Sequence, residues 1–363
     1  MVGWTKGEGI PAKLSFGIET SDNNITISDF DLSGATFGIE GDMSIADGGL
    51  RSAKFSRFQL TRGDDVSVAL QRSGKGYTVS VTGQSLDARA LIRRALSDDK
   101  KSGSSNASTP ISLKANVDRV AGFNDVGLNG VSLAYAAAGN ITGLSLDATT
   151  SDGKAVEVTN SPDGAGRRFR LTADDAGSLL RFLDVYGRMQ GGTVALSMAA
   201  SGGNYAGQLD LRNFYIVNEP KLGSIVSSAP QGGNRSLNET VQGRIDTSRV
   251  QFERGYAEIE KGPSYLRVAN GVLRGPMVGT TFRGTVFDEN DQMDLTGTFM
   301  PAYGLNRIFG ELPLIGEILG NGRDRGLIGV TYRLTGDFDA PRLQINPLSV
   351  IAPGIFRSIF EFQ

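Results

Sequence analysis

The stretch that decides the fold is residues 10–18, which read IPAKLSFGI. Ile10, Ala12, Leu14, Phe16 and Ile18 occupy every second position, with polar or small residues between them. Successive side chains of a β-strand point to opposite faces, so this period of two predicts a strand with one apolar face.

The same alternation recurs along most of the chain, at roughly one run per 8–15 residues. Turn sequences such as SDNN at 21–24 and SDG at 151–153 separate the runs. This spacing favours antiparallel meanders. The further runs are Val66, Val68, Leu70; Tyr77, Val79, Val81; Ile111, Leu113, Ala115, Val117; Val131, Leu133, Tyr135; Val194, Leu196, Met198; Met293, Leu295, Phe299; and Val330, Tyr332, Leu334.

Helical patterns are few and short. Asp87 is the predicted N-cap of the first helix, and Thr172 or Asp174 is the predicted N-cap of the second. Side-chain oxygens of Asp and Thr accept hydrogen bonds from the N–H groups that have no partner in the first turn of a helix. The third begins with a proline, which suits a first helical position. The three segments are 86–96, 174–186 and 313–319.

These patterns predict a mainly β chain with many antiparallel strands and a few short helices. The polar stretch DDKKSGSSN at 98–106 predicts a flexible segment over 98–110. It divides a β block at 1–97, which ends in a helix, from a longer β domain at 111–363. Periodicity alone leaves two interpretations open: the apolar faces pack together as a sandwich core, or they line a groove that shelters lipid chains.

Composition excludes several classes of function. The 363 residues carry a net charge of −2, so there is no electrostatic case for nucleic acid. Cysteine and histidine are both absent, which removes thiolate zinc sites, Ser-His-Asp triads and His-ligated metals. Acidic pairs such as Asp64-Asp65 and Asp174-Asp175 lie at predicted turns and helix starts, where they serve as caps. We therefore predict no enzymatic activity and no cofactor.

No signal peptide and no apolar run of about 20 residues is present in the sequence. We expect the sequence to be a fragment whose export or anchor segment lies upstream.

The last 190 residues or so carry an ordered series of motifs. They are DDAGSLLR at 174–181, GGTVAL at 191–196, NF at 213–214, NEPKL at 218–222, MPAYGLN at 300–306, LPLIG at 312–316, GLIGVTY at 326–332, NPLS at 346–349, APG at 352–354 and FR at 356–357. This series resembles the C-terminal region of the AsmA-like family, of the YhdP and TamB type and in its alphaproteobacterial form. From 1 to 170 the likeness is one of strand pattern alone.

The resemblance implies a long, curled antiparallel sheet that forms an open apolar trough, with 111–363 as a β-trough domain that carries an apolar C-terminal cap. It also implies a periplasmic protein, anchored in the inner membrane in its full-length form. Its apolar β-groove would shield and conduct phospholipid between the inner and outer membranes. The alternative is a structural or assembly factor for outer-membrane biogenesis that conducts no lipid. Phospholipid acyl chains are the expected ligand, a membrane is the expected contact of the C-terminal segment, and envelope proteins are further candidate partners.

Two sets of residues follow as candidates. The first set would line the groove, and the second belongs to family motifs that either cap the sheet or dock on a membrane or partner. The groove candidates are Leu14, Phe16, Ile18, Val68, Leu113, Leu196 and Leu295. The cap and docking candidates are Pro301, Tyr303, Asn306, Pro313, Gly316, Asn346, Pro347 and Pro353.

Overall fold

The computed structural model describes residues 7–96, 109–164, 166–201, 204–228, 243, 245–301 and 330–346. These residues form nineteen strands, all assigned to one sheet, and three short helices. The predicted fold class, a mainly β chain built on one long open sheet with a few helices, is confirmed.

Two compact units make up the chain, Met1–Asp163 with Leu179–Val185, and Gly164–Ser178 with Tyr186–Gln363. The first contains β1 Ala12–Ser21, β2 Asn24–Gly34, β3 Gly38–Ala46, β4 Gly49–Gln59, β5 Asp65–Ser73, β6 Gly76–Asp87, α1 Arg89–Leu96, β7 Ile111–Ala121, β8 Gly127–Ala138, β9 Asn140–Thr150 and β10 Ala155–Asp163. The second contains β11 Gly166–Ala173, β12 Met189–Ser201, β13 Asn204–Val217, α3 Pro220–Val226, β14 Arg249–Lys261, β15 Leu266–Arg274, β16 Val278–Phe287, β17 Gln292–Pro301, β18 Val330–Asp337 and β19 Arg342–Asn346. Helix α2, Ala176–Phe182, is divided between them.

Strands pair in chain order within each unit, and one pair departs from the predicted antiparallel arrangement. Strands β6 and β7 run parallel, with Tyr77 opposite Ile111 and Asp87 opposite Ala121. A parallel pair needs a crossover that returns the chain to the starting end of the sheet, and α1 lies in that crossover. The segment predicted as a flexible linker, 98–110, lies mostly outside the described residues, and the strands that flank it are hydrogen-bonded neighbours.

Two predicted helices are present. Helix α1 begins at Arg89, so Ala88 holds its N-cap position. The predicted cap, Asp87, lies one residue earlier, and its carboxylate accepts from the backbone N–H of Arg89 at 3.1 Å. For α2 the cap is Asp175, which accepts from the N–H of Ser178 at 3.0 Å, so the prediction of Thr172 or Asp174 was wrong. The third predicted helix, 313–319, lies outside the described residues.

Helix α3 was not predicted, although its start carries a clear signal. Glu219 is the N-cap, and its carboxylate accepts from the backbone N–H of Lys221 at 3.2 Å. Pro220 occupies the first turn, where its missing N–H is no loss. The buried side chains of Leu222 and Ile225 attach the helix to the second unit.

Asp64 ties the turn before β5 to the end of β6. Its side chain is 7% exposed and accepts three backbone N–H groups, from Leu60 at 3.0 Å, Thr61 at 2.7 Å and Asp87 at 2.8 Å. A carboxylate in this position satisfies backbone donors that no strand partner reaches, and it fixes where α1 begins.

We therefore expect Asp64→Ala to lower the free energy of unfolding by about 2–4 kcal/mol, because three N–H groups lose a charged acceptor. The neighbouring Asp65, which is exposed on β5, is the matched control, and Asp65→Ala should stay within about 0.5 kcal/mol of the parent. Urea unfolding measures both. Equal effects of the two variants would contradict this role for Asp64.

Candidate functional site

The strand registers of the first unit align apolar side chains from one strand to the next. Leu113 on β7 lies opposite Val79 on β6 and Tyr135 on β8. Directly opposed residues on paired strands point to the same face of the sheet. Followed across ten strands, the registers give one row, called row 1 here: Ile18, Ile27, Met43, Ala53, Leu70, Val79, Leu113, Tyr135, Leu144 and Asn160.

A second apolar row, row 2, runs beside row 1 on the same face. Val68 belongs to it, because it lies two positions before Leu70 on β5 and so points the same way. Ten strands at about 4.8 Å spacing make row 1 about 43 Å long. Rows 1 and 2 together are the first apolar face. Row 2 consists of Phe30, Gly41, Phe55, Val68, Val81, Ala115, Leu133, Leu146 and Val158.

The middle of the first apolar face is partly open to solvent. Leu70 and Leu113 are half-buried, and at the edge of row 1 Ile18 is 59% exposed. The next row on the same face is buried: Val117 and Val156 are 3% and 1% exposed. The face is therefore partly accessible along rows 1 and 2 and covered along the row beside them.

Residues 179–185 pack just beyond the end of β7. The ring of Phe182 lies so close to Gly122 that an added Cβ would come within 2.2 Å of it. The backbone N–H of Phe123 donates to the carbonyl of Phe182 at 3.0 Å. These contacts fix the segment at the end of this strand.

The second unit has a row of the same kind, row 3, across its nine strands. Glycines interrupt it where the backbone needs space: a Cβ on Gly207 would come within 1.9 Å of the carbonyl oxygen of Ser197. Row 3 consists of Phe169, Met198, Gly207, Ile259, Val268, Gly284, Leu295, Leu334 and Leu343.

Row 3 and the positions beside it combine half-buried and buried residues. Val268 and Leu295 are each 9% exposed, and Phe299 and Val330 are 2% and 0% exposed. Burial raises the pKa of Tyr332 to about 12, and its hydroxyl lies 3.0 Å from the hydroxyl of Thr280. The two units therefore share both the sheet pattern and the mixture of partly accessible and covered apolar residues.

The opposite face of the sheet is polar in both units. Behind row 1, Thr78 lies opposite Gln71 and Ser112. In the second unit, cross-strand ion pairs join Asp210 to Arg254 and Asp294 to Arg333. One apolar face and one polar face is the arrangement expected for a sheet that has water on one side only.

These ion pairs lower the pKa values of the two aspartate carboxyl groups that form them. The Nε and Nη2 groups of Arg333 donate to Asp294, at 2.8 and 2.7 Å, and this bonding lowers the pKa of Asp294. Burial alone would raise the pKa of Asp210, but the hydrogen bonds from Arg212 and Arg254 outweigh burial and lower it. The polar face therefore holds its carboxylates ionised at neutral pH.

The structure brings together part of the predicted groove set. Leu14, Phe16 and Ile18 alternate on β1 and are 54%, 49% and 59% exposed. Leu113 lies in row 1 and Val68 in row 2 of the same unit. In the second unit, Leu196 lies opposite Leu171 and Leu209, and Leu295 belongs to row 3. Their role in lipid binding stays a prediction.

Most of the predicted cap and docking set cannot be placed. Pro301 is the last residue of β17, and Asn346 is the last residue of β19. The others lie outside the described residues: Tyr303, Asn306, Pro313, Gly316, Pro347 and Pro353.

Sequence reasoning missed several members of the first apolar face, among them Ile27 and Phe30. A bulge shifts the register of β2 between these two residues, and Asp29 adopts a positive φ of 49° there. Strict alternation therefore fails at this point, because three positions instead of two separate Ile27 from Phe30 on the same face. The run ITI at 25–27 was the available signal.

No other type of site is apparent in the described ranges. Among the helices that the structure describes, none has the length and apolar character needed to span a membrane. Within the same residues, no cluster of three or more potential ligands lies close enough to hold a metal ion.

A scan against protein-family models and searches of curated proteins and of solved structures give no match for this chain.

The Asp294–Arg333 pair predicts a pH dependence. Because the folded-state pKa of Asp294 lies below its unfolded value of about 3.9, its contribution to stability is present above that value and is lost as the pH falls through the folded pKa. We expect Asp294→Asn to be less stable than the parent at pH 7 and to converge with it in acid. Urea midpoints measured from pH 7 to pH 2 check this, with the exposed turn residue Glu289 changed to Gln as control. A difference independent of pH would contradict the prediction.

Proposed function

We propose that this protein shelters phospholipid acyl chains along its apolar sheet face and conducts lipid between the inner and outer membranes of a bacterial envelope. The observation that carries the proposal is the first apolar face: two adjacent rows of apolar side chains in register across the strands of the first unit, with Leu70, Val79 and Leu113 in the middle half-buried. Large exposed apolar surfaces on soluble domains mark sites that bind an apolar partner.

The chemistry of the face suits an acyl chain better than a polar ligand. Leu70, Val79, Leu113 and Leu144 offer no hydrogen bond, so the attraction is hydrophobic and non-directional. Each methylene group transferred from water to this surface contributes about 0.8 kcal/mol when it is fully buried, and less on an open face. Because the apolar row passes from strand to strand, a chain can slide along it without breaking a directional bond.

The location belongs to the proposal and not to the findings. Conduction between membranes requires a periplasmic protein that is held at the inner membrane and whose C-terminal segment meets a membrane surface. The polar face opposite the apolar rows, with pairs such as Asp294–Arg333, suits water on one side of the sheet while lipid occupies the other.

Covered apolar residues in both units favour a second candidate function. Phe299 and Val330 of the second unit are 2% and 0% exposed, and Val117 and Val156 of the first are 3% and 1% exposed. A sheet whose apolar face is filled by its own side chains is a structural or assembly element and needs no lipid. The two functions are separated by whether lipid is present on the purified chain.

We expect the chain, purified natively from a bacterial host, to carry phospholipid that mass spectrometry of an organic extract detects. Leu113→Asp places a carboxylate in the middle of row 1, where an acyl chain would have to desolvate it. Bound lipid per chain should therefore fall roughly tenfold or more. Val79→Asp, on the neighbouring strand of the same row, should act likewise.

Ser112→Asp and Ser80→Asp are the matched controls, because each adds the same charge on the adjacent residue of the same strand, on the polar face. Both should retain the parent lipid content. A folded parent chain without lipid would favour the structural function. Equal losses in the row 1 variants and the controls would contradict binding on the apolar face.

A further inference from the structure

Strand β1 is an exposed edge of the sheet. All ten of its residues are exposed, and within the part of the chain that the structure describes it pairs only with β2. An edge strand presents N–H and C=O groups that another strand is able to bind. No proline lies within Ala12–Ser21 to prevent such pairing.

The β1–β2 hairpin determines which backbone groups face outward. A two-residue turn, Asp22-Asn23, joins the strands, so Ser21 and Asn24 form the hydrogen-bonded closing pair. Backbone groups alternate in direction from there, and the bulge at 29–30 adds its extra residue to β2, not to β1. The N–H and C=O groups directed at the free edge are those of Ala12, Leu14, Phe16, Ile18 and Thr20.

A second copy of β1 complements this edge in one register. In an antiparallel pair centred on Phe16, Leu14 lies opposite Ile18 of the second copy, and the two Phe16 side chains are neighbours on the same face. On the other face, Lys13 lies opposite Glu19 of the second copy, and symmetry repeats this pair. Lys13 and Glu19 are the two charged residues of β1. If the second copy is shifted by one or two residues in either direction, an uncharged residue lies opposite Lys13 instead of Glu19.

We propose that two copies of this chain associate through β1 about a two-fold axis at Phe16, so that the sheet continues from one copy to the other. The apolar residues of both β1 strands then share one face, and the first apolar face continues across the junction. A second copy of β1 is assigned to this edge because Lys13 then lies opposite Glu19 and because the outward-facing backbone groups of the two strands match. This association is independent of lipid binding, since it uses the strand edge and is measured without lipid.

Charge exchange tests the register. A single strand pair is a small interface, so sedimentation should be measured up to roughly 100 μM, where we expect a reversible dimer. Lys13→Glu replaces two attractive pairs by two repulsive ones and should weaken association about tenfold or more. Glu19→Lys should do the same, and the double variant Lys13→Glu/Glu19→Lys should restore the parent dissociation constant.

Disulfide trapping tests the same register independently. The chain has no cysteine, so Phe16→Cys provides a single thiol that is able to bond only to another copy. Opposed residues of an antiparallel pair lie about 4.5–5.5 Å apart at Cα, within the range of a disulfide. Mild oxidation should therefore link Phe16→Cys efficiently. Ala12→Cys, whose two copies would lie about 27 Å apart, should not link.

A parent chain that remains monomeric at the highest concentration would overturn the proposal. So would a dimer that charge reversal leaves unchanged, or one in which Ala12→Cys links as readily as Phe16→Cys. Rescue by the double charge exchange, together with selective linking at position 16, would establish it.

Discussion

The apolar faces of this sheet exist only because neighbouring strands keep their register. Val79, Leu113 and Tyr135 share a face because their strands are paired without a shift at this level. A slip of β7 by one residue would turn Leu113 to the other face and place Ser112 or Lys114 beside Val79. The apolar rows are therefore a product of backbone hydrogen bonding and of the period-two pattern together. Buried anchors such as Asp64, which binds the end of β6 to the turn before β5, protect that register.

In a sheet with one apolar and one polar face, the apolar side has to be covered by the protein itself or by an apolar partner. Both units cover part of this side, as at Val117 in the first and Phe299 in the second, and the first leaves Leu70 and Leu113 half-buried. The open stretch suits a ligand that binds by burial alone and exchanges readily. The exposed strand β1 continues the same face to the edge of the sheet, where Phe16 and Ile18 remain uncovered.

Much of this arrangement was predictable from sequence, because alternation predicts both a strand and the face of each residue, as for Val79 and Leu113. The relative direction of paired strands was not predictable, because parallel and antiparallel strands show the same alternation. The parallel β6–β7 pair therefore appeared only in the structure. Phe30 was not predicted to lie on the apolar face, because the bulge before it adds one residue and interrupts the period of two. Helix α3 was missed although Glu219 and Pro220 form a recognisable start, because seven residues carry little periodic signal.

The accessibility of single cysteines on the first apolar face tests the central claim most directly, since the chain has none of its own. In lipid-free protein, Val79→Cys and Leu113→Cys should react with a soluble maleimide within about tenfold of the unfolded rate, while Val117→Cys should be about 100-fold slower. Phospholipid vesicles should slow the first two and leave Ser80→Cys unchanged. If Val79→Cys and Leu113→Cys are as protected as Val117→Cys in the lipid-free protein, the face is packed and the account is wrong.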